Sequence, residues 1–189
     1  MRTDRCLAIM RAAEGLFASK GYANTSIADI AKAAGVSKAL VYHHFADKDE
    51  LFRQIVEDVR APTAEKLRAI MLGNEAVKAK MRAIIVALAE LAYSRKYAVR
   101  ILACEEYSSD DVNYPLFQHA EANRRMFARL LKDGIRTGEL RCLDERPVSL
   151  IINGMVREAV HEICVRKLAE RPDKIADDLM DVIWRGICP

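Results

Sequence analysis

Apolar residues recur along this chain at intervals of three and four, the spacing of one helix face. Sustained alternation of apolar and polar residues, the mark of a half-buried strand, is missing. The pattern predicts an all-α protein of about nine helices. A first helix starts after Thr3, carries Cys6, Met10, Ala13 and Phe17 inward, and ends at Lys20, with Gly21 in the position that terminates helices. A second follows Thr25 and Ser26, turns Ile27, Ile30 and Ala31 inward and stops at Gly35. A third, barely two turns long, runs from Ser37 to about His44. Asp47 opens a fourth, with Glu50 as its capping-box partner and Leu51, Phe52, Ile55, Val56 and Val59 along one side. Pro62, which lacks a backbone donor, is expected to kink or end that helix and to mark a change of module before Leu72. Further helices are expected over 75–94, 96–107, 113–137, 147–170 and 172–187.

A helix as short as the third has no stability of its own in water, so its neighbours must hold it in place for presentation. The stretch "AAGVS", Ala33 to Ser37, supplies the means: a glycine permits a sharp turn and Val36 packs beneath it, so that two short helices form a helix-turn-helix. In such a motif the second helix enters the major groove of DNA, while neighbouring caps and lysines grip phosphates.

Composition adds three constraints. Five cysteines at 6, 104, 142, 164 and 188 form no CxxC pair and no disulfide framework, which fits a reduced, cytoplasmic setting. The first segment holds a charged residue every few positions, so neither a signal peptide nor a membrane span is expected. Net charge is only +3, but residues 1–48 hold seven Lys and Arg against four Asp and Glu, so the whole excess lies in the first quarter. That placement favours a polyanionic partner there over a neutral scaffold.

The run "GYANTSIADIAKAAGVSKALVYHHFADKDELF", Gly21 to Phe52, resembles the DNA-binding signature of the TetR/AcrR family of transcriptional regulators, with its T-x-x-x-I-A-x-x-A-G-V-S, Y-x-H-F and K-x-x-L-F elements. The resemblance implies roles by position. Thr25 and Ser26 would offer hydroxyls and helix-start N–H groups to a phosphate. Ser37 and Lys38 would open the recognition helix, with Lys38 reaching a guanine edge or phosphate and Ala39 sitting against a thymine methyl. Tyr42 corresponds to the family's phosphate-contacting tyrosine, His43 would touch base or backbone, and Lys48 would clamp a phosphate. Leu40 departs from the family's usual Thr or Ser and removes one hydroxyl contact.

The resemblance also divides the chain into a helix-turn-helix domain, 1–48, and a helical ligand-binding and dimerisation domain, 49–189. A double-stranded operator read by a homodimer is the implied partner arrangement. In the last two helices Ile152, Met155, Val156, Ala159, Ile163, Leu179, Val182 and Ile183 form apolar stripes that would build the dimer interface. The middle helices would enclose an inducer pocket, with Leu67, Met71, Leu88, Tyr93, Leu102, Glu105, Glu106, Tyr107, Phe117 and Phe127 as candidate lining. Acidic groups there would favour a small hydrophobic, cationic ligand. A fourth helix tilted by that ligand would alter the spacing of the recognition helices and release a repressor from its operator.

An enzyme is not expected, since no GxSxG, P-loop or HExxH motif occurs, and no cofactor is implied. His161 and Cys164, three apart, would need Cys104, Cys142 or His119 to complete a zinc site, and no metal is expected. The alternative function is a thiol-based redox regulator on the same scaffold, with Cys142 beside Arg141 as its sensor.

Overall fold

The structure, a computed structural model, describes residues 3–105, 115–166 and 170–188, those at 101–105 and 115–120 as backbone only. Among these residues lie nine helices and no strand: α1 (Asp4–Lys20), α2 (Ile27–Ala34), α3 (Lys38–His44), α4 (Lys48–Leu72), α5 (Val77–Ser94), α6 (Lys96–Glu105), α7 (Pro115–Thr137), α8 (Glu145–Val165) and α9 (Pro172–Ile187). None of them is long and apolar enough to cross a membrane. The first three helices begin and end where the capping residues predict. Thr3 accepts from the Cys6 N–H, Ser26 from Asp29 and Ser37 from Leu40. Helix α8 starts earlier than expected because the Asp144 carboxylate caps it, leaving Pro147 in the first turn where a missing N–H costs nothing. It ends at Val165, since Arg166 (φ −92°, ψ 1°) leaves the helical range.

Of the two outcomes expected at Pro62, a kink or an end, the end does not occur. The helix runs 25 residues through it. Buried side chains on both sides of the proline hold the backbone in register, and the buried Thr63 hydroxyl donates to the Val59 carbonyl at 2.7 Å. What changes near Pro62 is the core that α4 serves. Ile55, Val56 and Val59 pack with Ile9, Met10, Phe17, Ile30, Val41 and Phe45 of α1 to α3 and the turn behind them. Leu67 packs instead with Met81, Ile84, Ile85, Phe127, Leu130 and Leu131 of α5 and α7 and with residues of α8 and α9. A third cluster joins α5, α6, α8 and α9 through Ala92, Val99, Ile163 and Ile175.

The two C-terminal helices correct the expected interface. Ile152, Val156 and Ile183 lie in the second core and Ile163 in the third, so these four are satisfied within one chain. Met155, Ala159 and Leu179 are half-buried against the same cores. Of the eight, Val182 alone is open, 62% exposed; on α8 the exposed apolar residues are Ile151, at 62%, which belongs to the same stripe, and Leu150, at 55%. A stripe as broad as that of α8 serves two faces, and periodicity alone does not say which face meets its own chain.

Candidate nucleic-acid interface

The support for α3 is built first. Gly35 adopts the left-handed conformation (φ 68°, ψ 32°), and its N–H and that of Val36 close back onto the carbonyls at the end of α2. Val41 and Phe45, one turn apart, then sink into the first core with 0% and 1% exposure. Burying two such side chains contributes roughly 1.5–3 kcal/mol each, which anchors a helix too short to persist alone. The opposite side of α3 is left to solvent: Lys38, Ala39, Tyr42 and His43 are exposed, and Tyr42 is 56% accessible. Leu40 and His44 sit half-buried between the two sides.

Around the start of α2 a shallow depression of about 440 Å³ brings Thr25, Ser26, Tyr42, Asp47 and Lys48 together. Ser26 makes a full capping box with Asp29, whose carboxylate accepts from the Ser26 N–H at 3.1 Å and from its hydroxyl at 2.7 Å. Those hydrogen bonds hold the exposed Asp29 carboxyl below the ordinary carboxylate range, so the cap is ionised at neutral pH. First-turn N–H groups at this end point outward, as at any helix start.

Two expected phosphate contacts are engaged inside the protein. The Thr25 hydroxyl is 1% exposed with its residue and donates to the Gly21 carbonyl at 2.8 Å, so the expectation of a phosphate-facing Thr25 is corrected: it braces the α1–α2 turn. The half-buried Lys48 ammonium donates to the Tyr22 and Thr25 carbonyls at 2.9 and 3.0 Å and rests 4.2 Å from the centre of the Tyr22 ring. An ammonium has three donors, so the two carbonyls leave one of them over at the rim of the depression. Tyr22 itself packs against Phe17 and Phe52 and donates to Asp49, tying the α1–α2 turn to α4.

Sequence reasoning passed over Arg95, at the junction of α5 and α6. Its guanidinium donates to Glu14 of α1 at 2.6 Å and to Asp58 of α4 at 3.2 Å. The one available signal was Glu14 itself, an acid on the inward face of the first helix.

The remaining candidates scatter. Leu67 and Met71 face a cleft between α4 and α7, Phe127 and Leu88 fill the second core, and the Tyr93 hydroxyl donates to the Glu170 carbonyl. The side chains of Leu102, Glu105, Glu106, Tyr107 and Phe117, with Cys104 and His119, lie outside the described residues. His161 faces Glu158, Nδ1 to Oε1 3.9 Å, whereas Cys164 turns its sulfur toward the Ala92 carbonyl, and burial pushes that thiol up to about 11. Cys142 is exposed, but the neighbouring Arg141 guanidinium donates to the Gly186 carbonyl.

Comparison with known proteins matches this arrangement from both ends. Residues 9–55 match the family model "Bacterial regulatory proteins, tetR family", and residues 74–161 match "Tetracyclin repressor-like, C-terminal domain". The chain belongs to the TetR family. TetR-family proteins are DNA-binding transcriptional regulators and not enzymes. The transcriptional repressor KstR2 of Mycolicibacterium smegmatis is 25% identical over 137 residues, 70% of this chain and 66% of that protein. The transcriptional regulator AcrR of Shigella flexneri is 47% identical over 49 residues, 26% of this chain and 23% of its own length. These alignments thus span just under two thirds of one relative and under a quarter of the other. Two solved structures share the TetR fold: KstR2 of Mycobacterium tuberculosis, TM-score 0.85 at 21% identity over 100% of this chain and 97% of that one, and PfmR of Thermus thermophilus, TM-score 0.80 at 23% identity over 94% and 97%.

Proposed function

We propose that this protein is a ligand-released transcriptional repressor that binds a palindromic operator as a homodimer. The observation that carries the reading is the division of α3 into a buried anchor, Val41 and Phe45, and an exposed row, Lys38, Ala39, Tyr42 and His43. A short helix so divided fits the major groove, with Lys38 and Ala39 at its leading end against base edges. Ser26, Ser37, Tyr42 and the remaining donor of Lys48 take the flanking phosphates.

One such motif contacts too few base pairs for useful selectivity, so two protomers set their recognition helices about 34–36 Å apart, or a multiple of it, on the duplex. The dimer forms through the outward faces of α8 and α9, with Ile151 and Val182 at its apolar centre. Residues 1–48 read DNA, and residues 49–189 dimerise and hold a small ligand. Helix α4 spans both: its first half packs behind the recognition helix and its second half lines the domain where the ligand binds. A ligand that prefers one tilt of α4 shifts the spacing of the two recognition helices by its differential affinity for the two arrangements. Spin-label distances between recognition helices, unchanged by the inducer, would defeat this tilt mechanism.

Footprinting on the DNA flanking the gene tests the operator reading. A protected palindrome is expected, with affinity falling steeply as salt rises. Tyr42→Ala, made on an exposed position, is expected to weaken binding on all sequences and reduce the salt slope by about one, whereas Lys38→Ala alters selectivity at one base pair. No protection at any salt, on flanking DNA or in selected random sequence, refutes the reading.

A further inference from the structure

The cleft between α4 and α7 has a composition that the operator reading leaves unexplained. It encloses about 640 Å³, within the range of pockets that bury small organic ligands. Its floor is apolar, built from Leu67, Met71 and Met126. Its rim carries four guanidinium groups, Arg60, Arg68, Arg125 and Arg129, against the single carboxylate of Glu57. That carboxylate is bound to Arg60 at 2.7 Å, and Glu121 outside the rim takes Arg124 and Arg125. Among the described residues Arg68 and Arg129 have no ion-pair partner, and they flank the floor from opposite helices.

We infer that this cleft binds an amphipathic anion, a compound whose apolar tail lies on Leu67, Met71 and Met126 and whose carboxylate or phosphate sits between Arg68 and Arg129. The inference rests on the reading of the chain as a ligand-responsive regulator and gives its ligand a charge. That charge is opposite to the one expected from Glu105 and Glu106. Two planar guanidinium forks facing one site match the oxygens of a carboxylate or phosphate, and a primary amine placed there meets an excess of positive charge. The apolar floor supplies area for a tail, so the head fixes selectivity and the tail adds affinity. Since α4 forms one wall, a ligand drawing Arg68 toward Arg129 acts on the helix that runs back to the DNA-reading motif.

Calorimetry on the full chain tests the assignment with four probes that share one tail, each kept below its micelle concentration: dodecanoate, dodecyl phosphate, dodecylamine and dodecanol. The two anions are expected to bind about tenfold or more tighter than the amine and the alcohol. Arg68→Gln/Arg129→Gln is expected to erase that preference, while Lys78→Gln/Arg82→Gln, an equal charge loss on the α5 surface, leaves it intact. Ala64→Trp, which fills the cleft without altering charge, is expected to abolish anion binding. Equal binding of all four probes, or a preference that survives the double substitution, overturns the inference. Operator footprinting of the same samples separates the two readings: protection without anion selectivity removes the cleft assignment alone, and anion selectivity without protection removes the operator reading alone.

Discussion

Gly134 lies inside α7 where a Cβ would come within 2.7 Å of both Cγ and Cδ1 of Leu140 and 3.3 Å of Val77. Leu140 is buried and its N–H donates to the Gly134 carbonyl, so it has little room to retreat. Gly134→Ala is therefore expected to destabilise the protein by about 1–3 kcal/mol despite the better helix propensity of alanine, read as a lower midpoint in denaturant. Gly35 presents the opposite case: a Cβ there meets open space, but φ of 68° strains any L side chain. Gly35→Ala is expected to cost about 1–2 kcal/mol through the backbone alone. Thiol chemistry also divides by site. Cys164, its thiol pushed up to about 11 by burial, stays protonated at neutral pH, whereas Cys142 is open to solvent. Alkylation of the native protein near pH 8, followed by peptide mapping, is expected to modify Cys142 long before Cys164.

Among the helices, α4 is the element on which the reading turns. Its polar ties reach both parts of the chain: Lys48 and Asp49 to the α1–α2 turn, Asp58 to Arg95, and Lys66 to Glu90 of α5. Glu14, on the other arm of Arg95, is buried at 7% exposure. Removing the guanidinium leaves that carboxylate without its partner, so Arg95→Met is expected to cost about 2 kcal/mol, below the value for a fully buried pair because Arg95 is one-third exposed. Adding Glu14→Gln should recover much of the loss. Additive losses in this double-mutant cycle would mean that the pair does not couple α1 to α6. Helix α4 also shows how a local rule yields to packing. Pro62 removes one hydrogen bond, yet buried neighbours on both sides and the Thr63 hydroxyl keep the helix continuous, at a cost that tertiary contacts offset.

For the whole molecule, exposure decides between fold and assembly. Ile151 and Ile152 are adjacent, yet the first is 62% exposed and the second 2%. Ile152→Ala is expected to lower stability by about 2–5 kcal/mol through a cavity in the second core. Ile151→Lys with Val182→Lys is expected to leave the melting temperature of the folded protomer near its original value and to convert a dimer into a monomer in sedimentation equilibrium, with operator affinity falling in step. A dimer that persists in this variant assigns the interface elsewhere.

Local physics is what the sequence by itself determined. Helix-period spacing and caps such as Thr3, Ser26, Ser37 and Asp47 bounded the N-terminal helices, because a cap acts within one turn of its own position. The exposed row of α3 was legible for the same reason: an amphipathic two-turn helix between two turns has one side to bury. Tertiary structure alone decided everything that depends on which residues from distant segments meet. It enclosed Thr25 behind Gly21, drew Lys48 onto the Tyr22 and Thr25 carbonyls, and placed Arg95 between Glu14 and Asp58. It also turned Ile152 inward and Ile151 outward, and set the arginines of α4 opposite those of α7. Periodicity defines the faces of a helix, and only the packing of the other helices determines what each face meets.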